Sequence, residues 1–97
     1  MRIISLKTLK EFWEAQPDAE QPLKSWYGEA KAGKWQNPAQ IKKQYGSASI
    51  LKDNRVVFNI AGNKYRLIVK ISRNYTVCWI RFVGTHKEYD KIDAGTI

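Results

Sequence analysis

Between Arg55 and Gly84 the chain alternates apolar and polar residues with a period of two, interrupted at two short polar points. That pattern belongs to strands with one buried face, and it ties pairing register to side-chain direction. Val56, Phe58 and Ile60 fall on one face of the first run, and Tyr65, Leu67, Val69 and Ile71 on one face of the second. Gly62-Asn63 between them is a two-residue hairpin signal, because its residues accept positive φ. Arg73-Asn74 reads as a second short turn, followed by a strand from Tyr75 to Gly84 that is apolar on both faces except at Arg81. A strand of that kind is central in its sheet. If both turns are two residues long, Asn59 faces Arg66 and Arg66 faces Arg81, while Phe58, Leu67 and Ile80 meet on the opposite side. The expected polar face then carries a row of Asn59, Arg66 and Arg81, with Arg55, Lys64 and Lys70 around it.

The preceding half reads as helical. Arg2-Ile-Ile-Ser suits a short first strand, parallel to its neighbour. Ser5 is a candidate N-cap for a helix from Leu6 to about Gln16, with Leu6, Leu9, Phe12 and Trp13 on one stripe. Pro17-Asp18 breaks it. A second helix reaches about Ala32 and buries Leu23, Trp26, Tyr27 and Ala30, and Gly33 closes it. Asn37-Pro38 opens a short helix to Tyr45, and Gly46 to Ser49 reads as a loop. Trp13, Trp26 and Trp79 read as core, and Trp35, in a polar stretch, as the aromatic available for stacking. The expected architecture is α+β, with N-terminal helices on one face of a small, mainly antiparallel sheet. The 97 residues are read as a single domain.

Seventeen Lys and Arg against nine Asp and Glu give a net charge of +8. Nine basic and four acidic residues follow Ala48, against eight and five up to it, so the excess is larger in the strand half. A basic field suits nucleic acid, an anionic membrane or an acidic protein, and argues against an acidic small-molecule enzyme. Cys78 is the only cysteine, which excludes an intrachain disulfide and a cysteine-based zinc site and suits a reducing compartment. The N-terminus has only a short apolar start before it becomes charged. It is neither a secretory signal nor a spanning helix, so a cytoplasmic protein with no membrane partner is expected.

Two arginines facing each other repel unless an anion lies between them or helix acids neutralise them. His86, the only histidine, follows the last strand directly in Thr85-His86-Lys87-Glu88-Tyr89-Asp90. An imidazole there can transfer a proton, or it can simply cap a short helix over Tyr89. Tyr89 can hydrogen-bond a phosphate or stack on a base. Lys42-Lys43 can contact phosphate or be a solvated helix face. No glycine-rich phosphate loop is present, and one histidine without clustered carboxylates suggests no metal. A DNA-reading helix and a basic amphipathic membrane helix are also missing from the pattern.

The stretches VVFNIAGNKYRLIVKI (56–71) and IRFVGTHKEYDKI (80–92) resemble the HigB family of bacterial toxins, a branch of the RelE-like superfamily. The specific parts are Asn-x-x-Gly-Asn-x-x-Arg-Leu and Thr-His-Lys-Glu-Tyr-Asp. The resemblance implies a RelE-like fold and metal-independent cleavage of messenger RNA on the ribosome, with no cofactor. It also implies a cognate helix-turn-helix antitoxin, HigA-like, through which alone DNA is contacted. On that reading RNA supplies its own 2′-hydroxyl as nucleophile. Arg66 and Arg81 stabilise the pentacovalent transition state, His86 transfers protons, and Tyr89 orients the phosphate or base. Asn59 supports Arg66, and Lys43, Lys64 and Lys87 hold phosphates. Some relatives use two histidines and an acid. Here a single histidine serves both proton transfers or shares them with Tyr89 or a lysine. The other class is a non-catalytic module that binds RNA or the ribosome and blocks translation.

Overall fold

In the computed structural model, which describes residues 1–97, the turn at Ala61–Lys64 forms with Ala61 and Gly62 at positive φ. It sets strand β3 (Arg55–Ile60) antiparallel to β4 (Tyr65–Ile71), with Asn59 opposite Arg66 and Phe58 opposite Leu67, as the turn chemistry predicts. Strand β5 (Val77–Thr85) flanks β4 on the other side. The short β1 (Arg2–Ile4) adds parallel to β5, and β2 (Ser49–Ile50), within the stretch read as loop, adds to β3. The strand order is β1-β5-β4-β3-β2. Helices α1 (Leu6–Ala15) and α2 (Glu20–Ala32), separated by a 3-10 turn at Pro17–Ala19, match the expected bounds closely. Helix α3 (Pro38–Gln44) starts at Asn37, whose side chain accepts a bond from the Gln40 amide. The architecture is the α+β, RelE-like arrangement expected.

The second hairpin differs from expectation. Its turn is longer than Arg73-Asn74, for Ser72 and Asn74 organise a loop through Thr76. The Tyr75 amide donates to the Ser72 carbonyl at 2.9 Å, and the Thr76 and Val77 amides donate to Ser72 Oγ at 3.1 and 3.0 Å. Tyr75 itself has positive φ. Ile71 therefore pairs with Cys78, a shift of two residues that leaves every side chain on its expected face. A bulge then follows: Val69 faces Ile80, but Ile68 faces Phe82. Arg81 is the extra residue, and Arg66 stands opposite Gly84 rather than Arg81. The expected row of Asn59, Arg66 and Arg81 is thus broken at its last member. A bulge swaps the outward parity of everything beyond it, and with the longer turn it puts Val83 rather than the expected Ile80 opposite Leu67.

The core lies between the sheet and the N-terminal helices and centres on Phe58. Trp26 and Tyr45 meet its ring edge-on at 5.4 and 5.1 Å, and Trp35 stacks on it at 6.1 Å. Trp35 is consequently buried, contrary to the exposure expected of it, and its indole N–H donates to Gln44 Oε1 at 3.0 Å. Gln44 and Tyr45 both donate to Glu29 at 2.7 Å, so polar residues around Trp35 seal its edge instead of exposing it. Trp13 is half-buried at the rim of this core. Trp79 is also half-buried, but its pairing with Lys70 puts it on the opposite sheet face, away from the core expected for it. That opposite face is not wholly polar, since Val57 and Ile68 are buried there. The segment after the last helix returns over it, and the Ile97 main-chain oxygen accepts from Arg55 Nε at 3.1 Å and Arg81 Nε at 3.4 Å.

Asp18, at the break between α1 and α2, accepts hydrogen bonds from both Lys64 and Tyr65, so the β3–β4 turn is fastened to the helical layer. Lys64, expected to hold phosphate, is engaged by this acid.

Two predictions follow from the packing. Leu67 is fully buried in the middle of the central strand. Leu67→Ala should lower unfolding free energy by about 2–5 kcal/mol in urea titrations, without changing the midpoint slope. The bonds from Lys64 and then Tyr65 hold the Asp18 carboxyl below the usual carboxylate range. A depressed folded-state pKa contributes stability that is fully present above the unfolded value of about 3.9 and is lost as pH falls through the lower folded value. Asp18→Asn should therefore lower stability at neutral pH and flatten the acid limb of a Tm-against-pH curve.

Candidate active site

Arg66 lies on β4 one residue after the turn-closing pair Ile60–Tyr65, and this position makes it rigid. Its Nη1 donates to the main-chain oxygens of Asn63 at 3.1 Å and Tyr65 at 3.3 Å, while Nη2 donates to Asn63 Oδ1 at 2.9 Å. The residue is only 8% exposed. No carboxylate lies within ion-pair distance of it, since the acids that pair do so with Lys24, Arg55, Lys64 and His86. A buried cation satisfied only by neutral oxygens keeps its full charge for an incoming anion.

The opposing residue on β5 is Gly84. A Cβ there would fall 2.6 Å from Phe82 Cζ, so only glycine leaves room for the Phe82 ring beside this position. Immediately beyond, Thr85 ends the strand and caps helix α4 (His86–Tyr89). Thr85 Oγ1 accepts from the Glu88 amide at 3.1 Å, and Glu88 Oε1 accepts from the Thr85 amide at 2.8 Å, forming a complete capping box. The box turns the chain sharply at the end of the strand and brings Tyr89 back over the sheet. The Arg66 guanidinium carbon lies 5.8 Å from the centre of the Tyr89 ring, within cation–π range. Thr85, and not His86, is therefore the residue that caps this helix.

His86 occupies the first position of α4 and is half-exposed. Its Nδ1 lies 3.2 Å from Asp90 Oδ2. An ionised carboxylate only accepts, so the neutral imidazole carries its proton on Nδ1 and leaves Nε2 as a free acceptor. Such an exposed pair adds little stability, and its consequence is orientation.

One turn and one capping box thus bring Arg66 and Tyr89 together, and the same short helix carries His86. Arg81 is not part of that group, because the bulge sets it three residues before Gly84 and its Nε is directed at Ile97. Asn59 faces Arg66 across the strands, and its amide reaches the Ser47 carbonyl at 3.5 Å. Lys87 is exposed beside His86, and Lys43 is exposed on α3 without an ion-pair partner. Asp90 and Asn63 were missed as site residues. Both had a signal: Asp90 follows His86 by four residues, the spacing of neighbours on a helix face, and Asn63 belongs to the turn that precedes Arg66.

Residues 19–92 match the family model of HigB_toxin, the RelE-like toxic component of a toxin–antitoxin system. An mRNA interferase toxin HigB from Escherichia coli (strain K12) is 33% identical over 96 residues, spanning 97% of this chain and 92% of that protein. The mRNA interferases HigB of Escherichia coli O157:H7 and Shigella flexneri are similar to the same extent. The matched region holds the turn, the clamped arginine and the capping box together, and the chain belongs to the HigB toxin family.

Proposed function

We propose that this protein is the toxin of a toxin–antitoxin pair and that it cleaves messenger RNA by transphosphorylation. The observation that supports this most is the Arg66 guanidinium, buried without a counter-ion and within cation–π range of the tyrosine of the helix that carries the histidine. The relatives named above carry mRNA interferase in their names, which supports the same reading.

In this reading the 2′-hydroxyl of the substrate attacks the adjacent phosphorus. The P–O5′ bond breaks, giving a 2′,3′-cyclic phosphate and a 5′-hydroxyl. Attack places additional negative charge on the non-bridging oxygens, and Arg66, already desolvated and fixed, stabilises it without reorganising. His86 Nε2 takes the proton of the 2′-hydroxyl as general base, with Asp90 stabilising the imidazolium that forms. A proton must also reach the departing 5′-oxygen, and the Tyr89 phenol or the returning imidazolium supplies it. The Tyr89 ring also lies within cation–π range of the guanidinium. Arg81 holds a flanking phosphate rather than the reacting one, about 10 Å along β5 from the Arg66 partner at ~3.3 Å per residue. Asn59 lines the same face, and Lys87, Lys43 and Lys64 add positive charge for the RNA backbone, Lys64 after release from Asp18.

The substrate is messenger RNA on the ribosome, in the cytoplasm. The cognate antitoxin is a HigA-like helix-turn-helix protein that alone contacts DNA. No helix is long and apolar enough to cross a membrane.

Induction of the wild-type protein followed by 5′-end mapping of messenger RNA should yield new ends bearing a 5′-hydroxyl. Translation arrest with no new ends would instead identify a blocking, non-cleaving module. His86→Ala should reduce single-turnover cleavage about 10²- to 10⁴-fold with an unchanged circular dichroism spectrum. A fully cleaving His86→Ala protein would remove the imidazole from the chemistry. Arg66→Lys should lose activity nearly as completely as Arg66→Ala, because an ammonium cannot reproduce the planar fork that Asn63 holds.

A further inference from the structure

At the opposite end of the same sheet face lies a cavity of about 530 Å³, lined by Asp53, Asn54, Lys70, Ile71, Ser72, Arg73 and Trp79. Its size falls within the range of small-molecule sites, about 300–1,000 Å³. Only two of its seven lining residues are hydrophobic, which suits a polar ligand. Lys70 and Trp79 are directly opposed across β4 and β5, so an ammonium-bearing and an indole side chain line the cavity from neighbouring positions. Arg73 projects from the loop that closes this hairpin and is exposed. Neither Lys70 nor Arg73 has an ion-pair partner. The one acid in the lining, Asp53, lies 3.5 Å from Arg55 Nη1 and is drawn towards that guanidinium. The cavity therefore combines two uncommitted cations with an aromatic surface and a free amide, Asn54.

We propose that this cavity is a nucleotide subsite, in which a base stacks on Trp79 and its phosphate lies between Lys70 and Arg73. The proposal deepens the RNA-cleaving reading and rests on it for the identity of the full-length substrate. A cation pair alone would take any anion. The aromatic beside it is what selects a ligand with a flat, π-bearing part, since every base can stack whatever the sequence. Lys70 is four residues from Arg66 on β4 and on the same face, about 13 Å away at ~3.3 Å per residue. An RNA that reaches both passes outside the C-terminal segment, whose Ile97 oxygen sits at Arg55 and Arg81 on this face, and the cavity receives a nucleotide flanking the one that is cut. The two-residue extension of the β4–β5 turn and the outward position of Trp79, both unexpected from the sequence, create it.

The test is a heteronuclear NMR titration of the ¹⁵N-labelled protein with adenosine 5′-monophosphate, with inorganic phosphate and adenosine as separate probes. The nucleotide should shift the Trp79 indole N–H and the amides of Lys70, Ser72 and Arg73, at concentrations where phosphate alone does not. The double variant Lys70→Ala/Arg73→Ala should weaken nucleotide binding roughly tenfold or more, and Trp79→Leu likewise. In cleavage assays the lysine–arginine double variant should raise KM about tenfold and move kcat less than threefold. Absence of shifts at Trp79 would overturn the proposal, and so would equal responses to phosphate and nucleotide. The titration needs no catalysis. A protein that binds nucleotide here but cuts no RNA keeps the subsite and loses the cleavage reading, while one that cuts RNA without shifts here does the reverse.

Discussion

The register of the β3–β4 hairpin is the constraint on which the rest depends. Four residues, Ala61 to Lys64, close it, and two of them act beyond the turn. Gly62 takes the positive φ that lets the strands return in register. Asn63 turns its side chain and its carbonyl onto Arg66, and Lys64 ties the turn to Asp18 in the helical layer. A slip of one residue would send Leu67 to solvent and Arg66 into the core. The same local structure that pairs the strands therefore holds a charged side chain still, without neutralising it.

The site is built on the ends of regular elements. Arg66 is fixed by the turn before it, and His86 and Tyr89 by the capping box after β5. These two local motifs are far apart in sequence and meet because β4 and β5 are neighbours. Gly84 stands opposite Arg66 where they meet, and its missing side chain leaves room for the Phe82 ring. Rigidity here comes from hydrogen bonds to neutral oxygens, with the Tyr89 ring within cation–π range. An ion pair would have fixed Arg66 as firmly but would have cancelled the charge that an RNA phosphate needs.

Much of this was legible in the sequence where the governing rule is local. Period-two alternation and Gly62-Asn63 were enough to place Asn59 opposite Arg66, and the helix stripes gave α1 and α2 nearly to the residue. The β4–β5 hairpin was not legible, because its turn is specified by side-chain bonds from Ser72 and Asn74 rather than by glycine. The bulge at Arg81 was hidden for a related reason. Apolar residues on both faces of β5 leave its alternation uninformative, so one extra residue does not disturb the pattern. Trp35 and Trp79 were misassigned in opposite directions. Each was read from its neighbours in sequence, whereas burial depended on partners far along the chain: Phe58 and Gln44 for one, Lys70 for the other.

The central claim is that Arg66 and His86 act on the same phosphodiester. The most direct measurement is a crystal structure of the protein with a short RNA whose 2′-hydroxyl is methylated at the cut position, which blocks attack while preserving the backbone. The account predicts that the scissile phosphate contacts the Arg66 guanidinium and that the methylated 2′-oxygen lies next to His86 Nε2, with Nδ1 still on Asp90. A phosphate seated away from Arg66, or a 2′-oxygen turned away from His86, would contradict it.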